Sequence, residues 1–280
     1  MTVEHISDTA RWVAVYRAME TERPDAHFRD PYARRLAGEQ GEAIVRSLRG
    51  GRAMAWAMIV RTAVLDEMIL RAVSRGADLV LNLAAGLDAR PYRLDLPRGL
   101  RWVEVDLPGI TDYKEEQLRA ESPRCVLERV RLDLTDLEAR RALFARLGGA
   151  RQVAVVTEGL LAYLTPEQVA GLATDLHAPP TFARWMTELA SPWILRYMQR
   201  KYRKVTGSAG TVPMRFGPAE GPAFFRPYGW ALAEERSMLD EARRLRREMP
   251  LAWLWRLTWV TEKQREKARR VSQIIELVRA

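Results

Sequence analysis

Asp78-Leu79-Val80-Leu81-Asn82-Leu83-Ala84-Ala85-Gly86-Leu87-Asp88 is the stretch that decides the fold. Its first half is a short, nearly all-apolar run, the pattern of a strand buried on both faces, and its second half turns on a glycine. Similar runs recur at Trp102–Val105, at about Cys125–Leu132 and at Gln152–Val156, with helical stretches at Thr111–Ala120 and Asp136–Leu147 between them. Strand and helix in alternation predict an α/β fold: a Rossmann-like, doubly wound, mostly parallel sheet with helices on both faces.

Working outward, Thr165-Pro166-Glu167-Gln168 reads as a helix start. Thr caps, Pro takes the first turn and Gln168 completes a capping box, so the helix should run to about His177. Further strands are expected at Phe182–Glu188 and Gly229–Glu235. Ser191–Met214 reads as a basic-aromatic helical insertion, and Glu262–Val278 as a final amphipathic helix. Upstream, Thr9–Ala37 has helical spacing, with Asp8 as its expected cap and Pro31 opening a second helix. A longer helix spans about Gly51–Ser74, stopped by Gly76. These readings divide the chain into an N-terminal helical arm or lid, 1–75, and a core, 76–280, with a helical insertion at about 191–228.

Composition narrows the class. The chain has 280 residues, 48% hydrophobic and 29% charged, which excludes wholesale disorder. The apolar run Ala53–Val60 is far shorter than the ~20 residues of a membrane helix, so no membrane span is expected. Met1-Thr2-Val3-Glu4-His5 lacks the basic and apolar regions of a secretory signal, and Cys125 is the single cysteine, so a cytoplasmic home without disulfide or metal cluster is expected. Net charge is +9, yet only five of the 45 basic residues are lysines and the arginines are spread along the whole chain. That reads as a compositional bias, and no nucleic-acid partner is expected. One denser patch, Arg243, Arg244, Arg246 and Arg247, precedes Trp253, Trp255 and Trp259. It suits either docking to a membrane surface or acidic partner, or a solvated helix face. Oligomeric state is not encoded in these patterns.

In a doubly wound sheet, ligands bind beyond the carboxyl ends of the strands, where the strand order reverses. The expected strand ends carry Ala84-Ala85-Gly86, then Glu104 and Asp106, then Asp133-Leu134, then Glu158-Gly159. Gly86 permits close approach of backbone to a ligand. Asp106 follows 20 residues later, the offset of an acid that accepts from two ribose hydroxyls. The dinucleotide pattern G-x-G-x-x-G is absent, and Asp88 would repel a pyrophosphate, which argues against a nicotinamide dehydrogenase.

Three segments, Leu81–Arg90, Val103–Pro108 and Thr157–Leu164, together resemble the leucine carboxyl methyltransferase family, in particular its bacterial branch of class I S-adenosylmethionine-dependent methyltransferases. Thr9-Ala10, Val13-Ala14, Arg17, Asp30-Pro31-Tyr32-Ala33, Arg61-Thr62 and Asp66 agree, and the resemblance runs in matching order from about Asp8 to His177. It implies S-adenosyl-L-methionine as cofactor and S-adenosyl-L-homocysteine as product. Arg61 would bind the cofactor's carboxylate, Gly86 would pass along its methionine portion, and Asp106 would hold the ribose with Glu104 as a second acid. Asp133 and Leu134 would meet the adenine, and Glu158 would line the pocket near the methionine portion. Ala84 stands where the family usually has glycine; alanine fits there only if φ is negative and its methyl clears the ligand, and weakened or normal cofactor binding is expected.

Methyl transfer from a sulfonium is an in-line displacement, so alignment carries much of the catalysis. A carboxylate acceptor is ionised at neutral pH and needs no base, whereas a phenol benefits from one. His5, His27 and His177 are the only histidines, and His27 alone is placed to reach a site. With Arg17, Arg90 and Tyr163, it is a candidate for binding the small-molecule acceptor. The shortage of bases points to the carboxylate of a small organic acid or natural product. Phenol or hydroxyl O-methylation in secondary metabolism is the alternative, as is a non-catalytic binding protein that keeps the fold.

Overall fold

A computed structural model describes residues 6–47, 51–206, 214–249 and 261–280. The strand of the deciding stretch, β1 (Leu79–Leu83), is buried at every position and lies in the interior of the sheet. It pairs in parallel with β2 (Arg101–Asp106) on one side and β4 (Val153–Thr157) on the other, and β2 pairs with β3 (Val126–Arg131). β5 (Phe182–Ala190) extends β4, also in parallel. The sheet is completed by β6 (Trp230–Ser237) and β7 (Ser272–Arg279), giving the order β3-β2-β1-β4-β5-β7-β6. The chain order reverses between β1 and β4, which fixes the ligand end of the fold there.

Helices cover both faces, as expected. Against one face lie α1 (Ile6–Thr21), α2 (Ala33–Ser47), α3 (Ala55–Ser74) and α9 (Met238–Arg244). Trp12, Val15, Tyr16, Leu36, Val64, Met68 and Met238 share one buried cluster with Val80, Val156 and Ile274 of the sheet. Against the other lie α6 (Leu137–Leu147) and α7 (Pro166–His177), where Phe144, Leu147 and Leu172 meet Leu81, Val103 and Val155. α4 (Arg90–Arg93) and α5 (Pro108–Leu118) follow β1 and β2, and α8 (Pro192–Thr206) follows β5. The capping box at Thr165 forms as read, with Gln168 N donating to Thr165 Oγ1 and Thr165 N to Gln168 Oε1.

Three expectations change. The final amphipathic helix is two elements, α10 (Glu262–Arg269) and then β7, which slots antiparallel between β5 and β6. Ile274, Leu277 and Val278 fall at spacing shared by a helix face and a buried strand. Glu276 then disguised the strand, because its charge is neutralised by Arg184 at 2.9 Å. Asp8 lies inside α1 and not at the position before it. Three of the four arginines of the dense patch pair with acids: Arg243 meets Asp240 and Glu248, Arg244 meets Glu67 and Glu241, and Arg247 is buried against Glu20 and Asp25, while Arg246 is exposed. Trp253, Trp255 and Trp259 lie outside the described residues.

Ala84 departs further from expectation. Its φ is +53°, the left-handed region, as is that of Gly86 at +51° two residues on. The turn after β1 thus demands two left-handed residues, and only one of them is glycine. An L-residue pays about 1–2 kcal/mol there, of which glycine's greater freedom in the unfolded chain returns about 0.4–1. Ala84→Gly should therefore raise stability by roughly 1 kcal/mol, a rise in Tm of about 2–4 °C in differential scanning fluorimetry.

Candidate active site

A cavity of about 1460 Å³ opens at the reversal point. That exceeds the ~300–1,000 Å³ of an ordinary small-ligand site, and it leaves room for two ligands side by side. One end is built from strand termini: Asn82 and Ala84–Asp88 after β1, Asp106 and Leu107 after β2, Leu132–Thr135 after β3, Glu158 and Gly159 after β4, and Glu188 and Ala190 at the end of β5. The other end is largely apolar, with Met54, Trp56 and Met58 near α3, Leu239 of α9, and Trp193 and Met198 of α8, and it carries a charged margin of Asp240 and Arg243 of α9 and Arg265 and Arg269 of α10.

Asp106 is the hinge of the turn. Its Oδ2 accepts the Gly86 N–H at 2.6 Å and its Oδ1 the Leu107 N–H at 2.8 Å, leaving lone pairs on both oxygens. Burial pushes its carboxyl pKa up against those two hydrogen bonds. Asp133 caps its own loop through Thr135, and the Leu134 carbonyl accepts from Arg140 at 2.9 Å.

Beneath the cavity runs a chain of buried ion pairs. Arg17 donates to Asp30 at 3.1 Å and to the Leu87 carbonyl at 2.5 Å. Arg93 binds both oxygens of Asp66. Arg90 bridges Asp66 at 2.6 Å, Asp88 at 2.8 Å and Glu158 at 2.7 Å. Glu158 in turn holds Arg61 at 2.9 Å, and Arg61 lies 3.5 Å from Glu188. Burial would raise the Glu158 carboxyl, but Arg90 and Arg61 outweigh it and bring the pKa down to about 2. Asp88 is likewise held well below the carboxylate range, chiefly by Arg90.

Of the twelve residues singled out in the sequence, nine line the cavity: Arg17, Arg61, Ala84, Gly86, Asp106, Asp133, Leu134, Glu158 and Tyr163. Three do not. Glu104 is buried between Lys114 at 2.7 Å and Arg129 at 2.9 Å. Arg90 lies one layer below, fully committed to its three acids. His27 points elsewhere, its Nε2 2.5 Å from the Leu245 carbonyl. His177 packs edge-on against Trp230, and burial lowers its pKa.

Glu188 and Arg215 are cavity residues that the sequence reading did not single out. Glu188 closes β5, and inspecting the end of the fifth strand as well as the first four would have found it. Its Oε1 accepts the Gly159 N–H at 2.5 Å, its Oε2 is buried without a hydrogen-bond partner among the described residues, and burial raises its pKa. Arg215 lies after α8 in the chain, where no motif marks it; its backbone N–H donates to the Ala162 carbonyl.

A glycine turn after β1, an acid ending β2 and a mostly parallel sheet ordered 3-2-1-4-5-7-6 define a class I S-adenosylmethionine-dependent methyltransferase. The chain belongs to the leucine carboxyl methyltransferase family, whose profile matches residues 10–177. A protein of Parafrankia assigned as an S-adenosyl-L-methionine-dependent methyltransferase is 35% identical over 260 residues, covering 88% of this chain and 83% of the relative. One from a Mycobacterium species, assigned likewise, is 32% identical over 270 residues, 88% and 89% of the two chains. The crystal structure of a DUF574 family protein from Streptomyces avermitilis superposes with a TM-score of 0.60 over 97% of each chain, at 16% identity, and shares the fold.

Asp106→Ala removes charged acceptors from the cavity and orphans the Gly86 N–H; it should weaken S-adenosylhomocysteine binding about ten- to hundredfold in calorimetric titration. Arg90→Met strips a shared cation from three buried acids and should cost about 3–5 kcal/mol in denaturant unfolding. Because Asp88 and Glu158 have folded-state pKa values below their unfolded ones, their stabilisation is complete above about pH 4.5 and is lost as pH falls towards 2. The Arg90→Met variant should lose most of that acid dependence.

Proposed function

We propose that the protein moves a methyl group from S-adenosylmethionine to oxygen, and specifically to a carboxylate of a small organic acid or natural product. The observation that carries the reading is Arg215. The other described arginines lining the cavity (Arg17, Arg61, Arg243, Arg265 and Arg269) each meet an acid, whereas Arg215 has no acid partner among the described residues. An uncommitted guanidinium beside an apolar chamber suits an anionic head on an apolar body.

The donor set fits the cofactor. Arg61 would take its carboxylate, Gly86 would let the methionine portion lie against the backbone, and Asp106, with acceptor capacity left on both oxygens, would hold the ribose. Asp133 and Leu134 would meet the adenine, and Glu158 would complete the methionine end. When bound, the cofactor supplies a methyl group already activated on sulfur, which passes in line to the acceptor oxygen and leaves S-adenosylhomocysteine. The chain contributes alignment, worth ~7–11 kcal/mol, and exclusion of water by the apolar end of the cavity. The arm 1–75, which supplies Thr9, Val13, Tyr16, Arg17 and Met54 to the cavity wall, would serve as the lid.

Transfer to a phenol or hydroxyl has one observation in its favour. Glu188 lies in the cavity with a raised pKa, the property of a general base that the histidines do not provide.

The two readings separate in a screen of carboxylic acids and phenols with radiolabelled cofactor. For a carboxylate acceptor, Arg215→Gln should lower kcat/KM about ten- to hundredfold, and the rate should stay flat from pH 8 down to about 5.5. A rate that falls with pH, is abolished in Glu188→Gln and is indifferent to Arg215→Gln would replace this reading with the phenol one.

A further inference from the structure

The outer face of α8 presents Trp193, Arg196, Tyr197 and Arg200 at the i, i+3, i+4, i+7 spacing of one helical stripe, all four exposed. Trp193 is 56% and Tyr197 47% exposed, high values for side chains of that size. Their rings stack nearly parallel, 7° apart with centroids 5.8 Å apart, so the two form one aromatic plate. Arg196 and Arg200 have no acid partner among the described residues, and α8 contains neither Asp nor Glu in its 15 residues. Lys201, Arg203 and Lys204 continue the basic run in sequence. The inner side of the helix is apolar: Leu195 is buried, and Ile194, Leu195 and Met198 line the cavity. Trp193 and Tyr197 line it too, so the plate stands at the rim of the opening.

We propose that this face of α8 docks on an anionic phospholipid surface, with the cavity mouth turned toward the bilayer. Trp and Tyr have an apolar body and a polar edge, which places them at headgroup depth, and neighbouring arginines add attraction to anionic headgroups. Charge complementarity alone would also serve an acidic protein; two large exposed rings beside an opening into an apolar chamber favour lipid. The orientation gives an apolar acceptor a path from bilayer to cavity without crossing water. The proposal does not depend on which oxygen is methylated, and its test does not read methyl transfer.

The test is co-sedimentation of the full chain with vesicles of phosphatidylcholine alone and of phosphatidylcholine mixed with phosphatidylglycerol, at ~0.1 M salt. Retention on the anionic vesicles alone is expected. Arg196→Glu/Arg200→Glu should weaken it by about thirtyfold or more, and Trp193→Ala/Tyr197→Ala by about tenfold. Arg75→Glu/Arg98→Glu makes the same charge change at exposed positions before β1 and β2, at the opposite end of the sheet, and should leave binding nearly unchanged. Circular dichroism and thermal unfolding check that every variant is folded. Equal loss in both charge-reversal variants would reduce the effect to net charge and overturn the proposal. Absence of binding to either vesicle by a folded chain would overturn it as well, and would leave α8 to an acidic protein or to solvent.

Discussion

Everything at the cavity floor depends on one guanidinium. Arg90 is 1% exposed and holds Asp66 of α3, Asp88 of the turn after β1 and Glu158 beyond β4. A buried charge is tolerated only when its partners are close and well oriented, so the three segments are fixed relative to one another as tightly as the ion pairs demand. Arg93 extends the network through Asp66, and Arg17 joins Asp30 to the Leu87 carbonyl. Arm, long helix, glycine turn and strand ends are thereby one electrostatic unit. The lining residues Arg61 and Glu158 inherit their positions from it.

This explains why the family resemblance was so readable and why some of its residues were assigned the wrong neighbours. Arg17, Asp30, Arg61, Asp66, Asp88, Arg90 and Glu158 all stand in the recognised segments, and all belong to the ion-pair network. A charged motif residue advertises that charge is needed, without saying whether the counter-charge is a ligand or the protein itself. Arg17 and Arg61 reach the cavity wall, while Arg90 stops one layer beneath it. Apolar patterning was less ambiguous. The five buried positions of β1 and the capping box at Thr165 were legible because each is a local pattern with one geometric solution.

What stayed illegible came from long-range compensation. Glu276 sits in a buried strand because Arg184, 92 residues away in sequence, neutralises it, and no local rule anticipates that partner. The arginines at 243–247 look like a free basic patch until Glu20, Asp25 and Glu67 arrive from the other end of the chain. Ala84 illustrates the converse: sequence flags the missing glycine, but only the backbone angle reveals that the turn keeps its left-handed shape and carries the strain.

The placement of β7 has a consequence for how this chain folds. β6 joins the sheet through β7 alone, and β7 is made some 35 residues after β6 ends. During synthesis, β5 therefore presents an open edge and β6 has no neighbour until the later strand enters between them. An unpaired strand edge is a template for association with other chains, so the interval before β7 arrives is the vulnerable period of biogenesis. The charges along β6, Glu234, Glu235 and Arg236, are well placed to discourage such pairing while the gap waits to be filled.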